Sequence, residues 1–439
     1  MCLKLVSVLC FLYFVSGQKE NDLELKMSNV LYRHGDRSPV ATFPKDEHKS
    51  YWKQGLGQLT EIGMKQEFLM GKFLKKRYLQ TILNQTYLRK QVHCRSSDRD
   101  RCLMSAEAQM AGLYPPLYLN PQPNKKEWQF WQLIPIHTVP KNLDMLLRPY
   151  DYNCPRLQEI SEKSYHDPKF VAMAKKYKDF MGNVSAKLGL SKSLNLTTIY
   201  KAYDSLFCQR AHNLSWPTWV TPDVFNKLTI LQYFDFVWMF NSPEKAKLTG
   251  GNLLGAMVTN MKNFRKNPNQ SKKLYVYSAH DTTVVALLSA LKIYSGIPPP
   301  YSTAFLMELY YSRKSSKYFV RMFYRNDTSQ PDKAYELFIP GCQVNNCTLD
   351  NFTSLTASAV PVDFEAECHT ERCSQKLKKD DGDTCGLKSC KDALAAVLII
   401  LLLVFIAFVG YVVRRCQVRR KAKSLRHFQQ IENEEWDSE

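Results

Sequence analysis

One histidine is flanked by two arginines in an Arg-His-Gly-Asp-Arg-Ser-Pro segment that begins at Arg33. The planar guanidinium groups of Arg33 and Arg37 match the oxygens of a phosphate group, and the imidazole of His34 between them is a nucleophile that could attack phosphorus. Gly35 allows the backbone to turn tightly beside that imidazole. The motif alone leaves open a simpler alternative, a solvated turn in which an arginine pairs with Asp36.

Two further clusters carry residues of the same kinds. Residues 95–101 hold three arginines and two aspartates just before a predicted helix, and Arg101 is the last of them. Residues 278–283 include His280 and Asp281 and join a strand-like run to a predicted helix. Because the N-terminus of a helix favours an anion, both clusters are candidates for phosphate binding. For the first cluster the alternative is a salt-bridged loop. For the second it is an Asp or Thr helix N-cap beside a hydrogen-bonded histidine.

The hydrophobic pattern around the clusters predicts the elements that position them. The predicted strands are 25–32, 91–94, 274–277, 305–311 and 318–324, and the last two form a hairpin. The predicted helices are 58–83, with Thr60 as N-cap, 104–113 and 282–294. Residues 170–247 have a largely helical pattern. This order indicates an α/β domain that is interrupted by a mainly helical insertion.

In this order, the three clusters resemble those of the histidine acid phosphatases, the family that includes the prostatic and lysosomal enzymes. The resemblance covers roughly residues 25–368, and the stretches 55–60, 135–140 and 153–156 support it. It implies the histidine phosphatase fold, a mostly parallel sheet flanked by helices with an inserted helical cap. We expect the α/β core at about 23–125 and 247–368, and the cap at about 126–246.

The resemblance also implies roles for the clustered residues. His34 would become phosphohistidine, and Asp281 would protonate the leaving alcohol and then help to activate water. The phosphoryl oxygens would be held by Arg33, Arg37, Arg101 and His280. Neighbouring cations disfavour protonation of His34, so we expect activity in acid, where Asp281 can be protonated beside a bound phosphate. The arginines supply the positive charge that Mg²⁺ supplies elsewhere, so no metal or other cofactor is expected.

The expected activity is therefore that of an acid phosphatase acting on phosphate monoesters. A phosphatase of narrower substrate range, of the phytase or lysophospholipid type, and a non-enzymatic surface binding module are the alternatives. The formal net charge is +19, but the basic residues are spread along the chain, so no nucleic-acid partner is expected. The resemblance further implies a homodimer.

The cysteines indicate an oxidising compartment. The resemblance implies the disulfides Cys154–Cys368 and Cys342–Cys347. It also gives Cys208 a counterpart, but the position of the expected partner is occupied by Ala304. We therefore expect Cys208 to pair with Cys94, Cys102 or a cysteine of the stalk that precedes the membrane.

The two ends of the chain predict a single-pass type I membrane protein. We expect a signal peptide at 1–17, a luminal or extracellular domain at 18–368, a stalk at 369–392, a transmembrane helix at 393–413 and a cytoplasmic tail at 414–439. The 21 residues of the predicted transmembrane helix carry no charge, and basic residues follow them. The tail lacks tyrosine, so the cell surface is favoured over lysosomes or endosomes. Glycosylation is expected at Asn84, Asn213 and Asn326.

Overall fold

Seven strands and twelve α-helices lie within the residues that the computed structural model describes, 22–115, 132–342, 347–369 and 411. The strands are β1 (Leu23–Arg33), β2 (Val92–Ser96), β3 (Ile136–His137), β4 (Leu274–Ala279), β5 (Ala304–Ser312), β6 (Lys317–Arg325) and β7 (Tyr335–Leu337). The helices are α1 (Glu61–Tyr78), α2 (Asp100–Leu113), α3 (Pro155–Ser164), α4 (Pro168–Lys176), α5 (Lys178–Lys187), α6 (Tyr200–Ala211), α7 (Pro222–Met239), α8 (Pro243–Ala246), α9 (Asn252–Lys266), α10 (Asp281–Ala290), α11 (Leu349–Thr356) and α12 (Phe364–Cys368).

The strands form one mixed sheet in the order β3-β2-β4-β1-β5-β6-β7. Strands β3, β2, β4 and β1 are parallel, so the prediction of a mostly parallel sheet holds for the half that carries the three clusters. The other half departs from it, because β5 pairs with β1 and β6 in the antiparallel sense and β7 continues that pattern. A short turn joins β5 to β6, and such a turn can connect only antiparallel neighbours.

From Met27 to Arg33, both faces of β1 are buried. Val30 packs in a cluster with Met70 of α1 and Met110 of α2. Leu31 points to the opposite face and belongs to a cluster with Met257 of α9. The sheet therefore lies between two helical layers, which fix the ends of its central strands. The predicted strands and helices are confirmed to within about five residues at their ends. The strands β3 and β7 and the helices α3, α9, α11 and α12 were not predicted.

Helices α4 to α7 have a hydrophobic cluster of their own, apart from the two clusters that cover the sheet. It includes Phe170, Val184, Leu206 and Leu231. The helical pattern predicted for this stretch is confirmed. The expected start of the cap, near residue 126, lies outside the described residues, and the division into core and cap stays a prediction.

Both predicted disulfides are present, Cys154–Cys368 and Cys342–Cys347. The expected pairing of Cys208 with Cys94 or Cys102 is wrong, since all three are buried thiols. The stalk cysteines, the other expected partners, lie outside the described residues. Cys208 lies on α6 beside the hydroxyl of Tyr301, 3.6 Å from its Sγ. Burial raises the pKa of the Cys208 thiol to about 12 and that of Cys102 to about 11, so both stay protonated.

The described elements belong to one compact unit that ends at Cys368, and residues 369–439 form a second unit. The predicted signal peptide lies outside the described residues, as do the transmembrane helix, the stalk and the tail except for residues 369 and 411. Within the described part of the chain, no helix has the length and apolar character needed to cross a membrane.

Candidate active site

The three clusters meet at one edge of the sheet because they follow three neighbouring parallel strands. Arg33 at the end of β1 is paired with Ala279 at the end of β4, and Ser96 at the end of β2 is paired with Ser278. The backbone N–H of His34 donates to the carbonyl of Ala279 at 3.0 Å, so the clusters are joined beyond the last strand pairs as well. Ligands of open α/β sheets bind at this carboxyl edge.

His34 is 1% exposed, and one hydrogen bond sets its tautomer. Its Nδ1 lies 2.8 Å from the carbonyl oxygen of Gly35. A carbonyl oxygen only accepts, so Nδ1 carries the proton and Nε2 keeps its lone pair. Burial, together with the guanidiniums of Arg101 and Arg33, lowers the pKa of His34 well below its usual value. The imidazole therefore stays neutral, and Nε2 stays nucleophilic, at acidic pH.

Gly35 is required here by the close approach of a helix. A Cβ on Gly35 would lie 2.4 Å from the carbonyl oxygen of Gly63, and a Cβ on Gly63 would lie 2.2 Å from that of Asp36. Thr60 begins helix α1 as predicted, accepting the N–H of Gly63 at 3.2 Å. The first turn of α1 thus packs directly against the backbone of the motif and fixes it.

Arg33 contacts the candidate proton donor. Its guanidinium lies 2.8 Å from a carboxylate oxygen of Asp281, donates to the carbonyl of Pro299 at 2.8 Å and stacks 4.1 Å from the centre of the Tyr301 ring. The alternative in which Arg33 or Arg37 pairs with Asp36 is wrong, because Arg33 pairs with Asp281 and Arg37 pairs with Asp204. Arg33 is instead held from three sides at the entrance to His34.

Arg37 is bound by a residue of helix α6. Its two terminal nitrogens donate to the carboxylate of Asp204 at 2.8 and 3.1 Å. The same carboxylate accepts the N–H of Val40 at 2.8 Å. A bidentate pair of this kind fixes the plane of the guanidinium, and burial of both side chains protects it from water.

Asp36 also contacts α6, through the histidine that follows the helix. Its Oδ1 accepts from Nε2 of His212 at 2.7 Å and from the hydroxyl of Thr60 at 2.6 Å. The imidazole of His212 packs edge-on against Trp52. Asp36 is 1% exposed, so these contacts provide the hydrogen bonds that a buried carboxylate requires.

His280 lies against His34, with the two ring centroids 5.5 Å apart. A guanidinium nitrogen of Arg101 lies 3.4 Å from Nδ1 of His280, and the hydroxyl of Ser97 lies 2.8 Å from Nε2. Arginine only donates, so Nδ1 is the acceptor and Nε2 carries the proton. Burial, and then Arg101 and Arg148, lower the pKa of His280 well below its usual value.

Asp281 is the first residue of α10, and His280, not Asp281 or a threonine, is the N-cap of that helix. Burial alone would raise the pKa of Asp281, but the guanidiniums of Arg33 and Arg37 lower it, and it lies below its ordinary value. Without a ligand, Asp281 is thus ionised and paired with Arg33. An anion that competes for Arg33 would raise the pKa of Asp281 again.

The arginines retain capacity to bind an anion. The Nε atoms of Arg33, Arg37 and Arg101 are buried and have no hydrogen-bond partner among the described residues. Arg101 forms no ion pair in that part of the chain, and donates instead to the carbonyl of Gly57 at 3.4 Å. The arrangement places fixed cationic donors, a neutral imidazole and a carboxyl group around one point, which is what transfer of a phosphoryl group requires.

Residues 24–325 match the sequence profile of the histidine phosphatase superfamily (branch 2). The chain belongs to this family. The lysosomal acid phosphatase of Xenopus laevis is 39% identical over 412 residues, 92% of this chain and 91% of that protein. Human prostatic acid phosphatase is 40% identical over 359 residues, 80% of this chain and 90% of that protein. The family and the fold inferred from the sequence are confirmed.

A solved structure of Hafnia alvei phytase in complex with myo-inositol hexakis sulphate has the same fold. It superposes with a TM-score of 0.60 at 19% identity and covers 80% of this chain and 99% of that chain.

All six predicted site residues of this histidine phosphatase lie together at the sheet edge. Three other polar residues at the site were missed: Asp204, His212 and Arg148. Asp204 and His212 are 167 and 176 residues from their partners in the motif, and no local pattern joins them. The one signal for Asp204 and His212 was that each is a polar residue in a stretch with a largely helical pattern, which is typical of any solvated helix.

Proposed function

We propose that this chain is an acid phosphatase that hydrolyses phosphate monoesters through a phosphohistidine on His34. The proposal depends chiefly on the hydrogen bond from Nδ1 of His34 to its neighbouring carbonyl. That bond leaves Nε2 with a free lone pair inside a ring of arginines. The relatives to which this chain is similar are named acid phosphatases, which supports the same activity.

In the first step, Nε2 of His34 attacks phosphorus and the bond from phosphorus to the ester oxygen breaks. Arg33, Arg37 and Arg101 donate hydrogen bonds to the phosphoryl oxygens. His280 joins them when its Nε2–H turns from Ser97 to the phosphate. Asp281, protonated once the phosphate has taken over Arg33, gives its proton to the departing alkoxide. The alcohol leaves neutral, and the phosphoryl group is bonded to His34.

In the second step, a water molecule attacks phosphorus and the bond to Nε2 breaks. The carboxylate of Asp281 accepts a proton from that water, which restores the acid for the next cycle. Inorganic phosphate leaves and the neutral His34 is regenerated. Splitting one displacement into two in this way lets a single carboxyl group serve both as acid and as base.

The test compares the full-length protein with His34→Ala and His93→Ala on an aryl phosphate between pH 4 and 8. His93 is a half-buried histidine that stacks on His137, outside the site. Turnover in acid that is lost only in His34→Ala supports the proposal. Equal turnover in His34→Ala and the wild type would contradict it. Folded wild-type protein without turnover would favour a narrow substrate range or a binding module.

We further propose that the active domain lies outside the cytosol, between a signal peptide at 1–17 and a transmembrane helix at 393–413. The expected glycosylation sites Asn84, Asn213 and Asn326 are all exposed, which supports this topology. The cell surface is favoured by the tail sequence, whereas the similarity to lysosomal acid phosphatases supports the lysosomal alternative.

Surface biotinylation of intact cells, with and without peptide N-glycosidase, tests the location and the glycans. Cross-linking in the same cells tests the expected homodimer.

A further inference from the structure

The loop of residues 144–151 is held against the active site through residues 144 and 147. Asp144 is fully buried, and its carboxylate pairs with Arg95 at 2.5 Å and accepts the N–H of Leu147 at 3.0 Å. The carbonyl of Leu147 in turn accepts from the hydroxyl of Thr283 at 2.9 Å. Thr283 lies three residues after His280, in the first turn of α10. Residue 148 is therefore fixed beside the part of the helix that contacts the phosphate site.

Two arginines share a single carboxylate at this position. Arg148 donates to one oxygen of Asp151 through Nε at 3.0 Å and a terminal nitrogen at 2.7 Å. A terminal nitrogen of Arg99 lies 3.5 Å from the same oxygen, and Arg99 precedes Arg101 by two residues. The Nε of Arg99 is buried and has no partner within the described chain. Charge on one carboxylate therefore cannot balance both guanidiniums.

The same imbalance holds for the site as a whole. Among the described residues, Arg33 pairs with Asp281 and Arg37 with Asp204, while Arg101 has no carboxylate partner. The negative charge of a phosphate group beside His34 balances the positive charge of Arg101. The phosphate does not balance the second excess positive charge, which lies at Arg99 and Arg148.

The nearby aspartates do not remove this excess. Asp98 and Asp100 are exposed, and neither forms an ion pair within the described ranges. The proximity of the two arginines to the phosphate site is also seen at His280. Its pKa is lowered by burial and then by Arg101, Arg148 and Arg99.

We propose that Arg99 and Arg148 form a second anion subsite, so that the preferred substrates are phosphate monoesters that carry a second anionic group. This inference rests on the proposed phosphatase function and names its substrate class. The side chains of Arg148 and Arg99 are 17% and 37% exposed, so a ligand can reach both. Arginine suits either a phosphate or a carboxylate as the second group, because its planar donors match both.

The test uses substrates that differ only in the second charge. Propane-1,3-diol bisphosphate is compared with 3-hydroxypropyl phosphate, and the readout is the ratio of their kcat/KM values in each enzyme. The ratio cancels any general effect of a substitution on turnover. A carboxylate counterpart, 4-phosphooxybutanoate, distinguishes the two kinds of second group. Linkers of two and four carbons measure the separation of the subsites.

The variants are Arg99→Gln, Arg148→Gln and the double substitution, in the full-length protein. Arg265→Gln is the matched control, since Arg265 is also 37% exposed and paired with an aspartate, Asp350. We expect the wild type to favour the bisphosphate by about tenfold or more, which corresponds to one charge-assisted interaction. The double variant should lose that preference, and Arg265→Gln should keep it. An unchanged ratio in the double variant, or no preference in the wild type, would overturn the subsite.

Binding measurements separate this inference from the proposed function. Propane-1,3-diphosphonate and propylphosphonate are inert analogues, and calorimetry gives their affinities whether or not the protein turns over. Absence of turnover on every phosphate ester would refute the phosphatase. The subsite would still be supported by about tenfold tighter binding of the diphosphonate that is lost in the double variant. Equal affinities for the two phosphonates would refute the subsite.

Discussion

One hydrogen bond at His34 determines which ring nitrogen is available for chemistry. The carbonyl of Gly35 holds the proton on Nδ1, and that carbonyl belongs to the next residue in the chain. The tautomer is therefore a local property of the motif and does not depend on helix α6. This is why the histidine and its flanking arginines could be recognised from sequence alone, as a strand that ends in a tight turn.

The contribution of Asp281 to the rate of the first step should increase with the basicity of the leaving group. We expect Asp281→Asn to reduce kcat for an alkyl phosphate by about 10²-fold to 10⁴-fold, because an alkoxide must be protonated as it leaves. An aryl phosphate with an acidic phenol should lose much less in the first step. Single-turnover kinetics on both substrates checks this. Equal losses on the two esters would show that Asp281 does not act as the proton donor.

Sequence reasoning reached the six clustered residues, and the pairs that orient them needed the structure. The clusters follow strand ends, and parallel strands bring their carboxyl ends to one edge, so their meeting could be anticipated. The partner of Arg37 could not, since a carboxylate on a distant helix has no local signature. The alternative in which Asp36 pairs with a flanking arginine is wrong because neighbouring residues in a turn need not face each other, and Asp36 is bound by His212 instead.

Helix α6 is the element that completes the motif from outside the sheet. It supplies Asp204 to Arg37, and His212 just after it contacts Asp36. The sheet and α1 fix the backbone of the motif, whereas α6 fixes two of its side chains. The orientation of α6 is thus coupled to the orientation of a candidate phosphate-binding guanidinium.

Loss of the contact from α6 should therefore impair catalysis as well as stability. Asp204→Asn removes the charge that holds Arg37, and we expect kcat/KM of the folded enzyme to fall about tenfold to 100-fold through misplacement of the guanidinium. The control is Glu308→Gln, which breaks another buried bidentate pair, with Arg77, away from the site. Both variants should be less stable, by up to about 3–5 kcal/mol. A similar kinetic loss in both would mean that Asp204 has only a structural role.

At the scale of the molecule, the two disulfides should differ in what they contribute to folding. Cys154–Cys368 joins residues that are 214 apart in sequence, and Cys342–Cys347 joins residues that are 5 apart. In the chain-entropy view, the long closure restricts the unfolded chain far more. We expect replacement of Cys154 and Cys368 by serine to lower the free energy of unfolding by about 2–5 kcal/mol. Replacement of the second pair should cost clearly less in parallel urea titrations, and an equal cost would contradict this account.

The buried histidines should make the folded protein sensitive to acid even though its chemistry is expected to operate there. The pKa values of His34 and His280 are well below 6.5 in the folded state, first through burial and then through Arg101. Unfolding then takes up a proton at each as the pH falls below 6.5, so stability is present above 6.5 and is lost below it. Each group contributes about 1.4 kcal/mol per pH unit. His280→Asn should therefore lose about 2 kcal/mol less than the wild type between pH 6.5 and 5.0 in urea unfolding. Identical losses in the two proteins would mean that His280 is protonated in the folded state, and its hydrogen bond from Arg101 would then have to break.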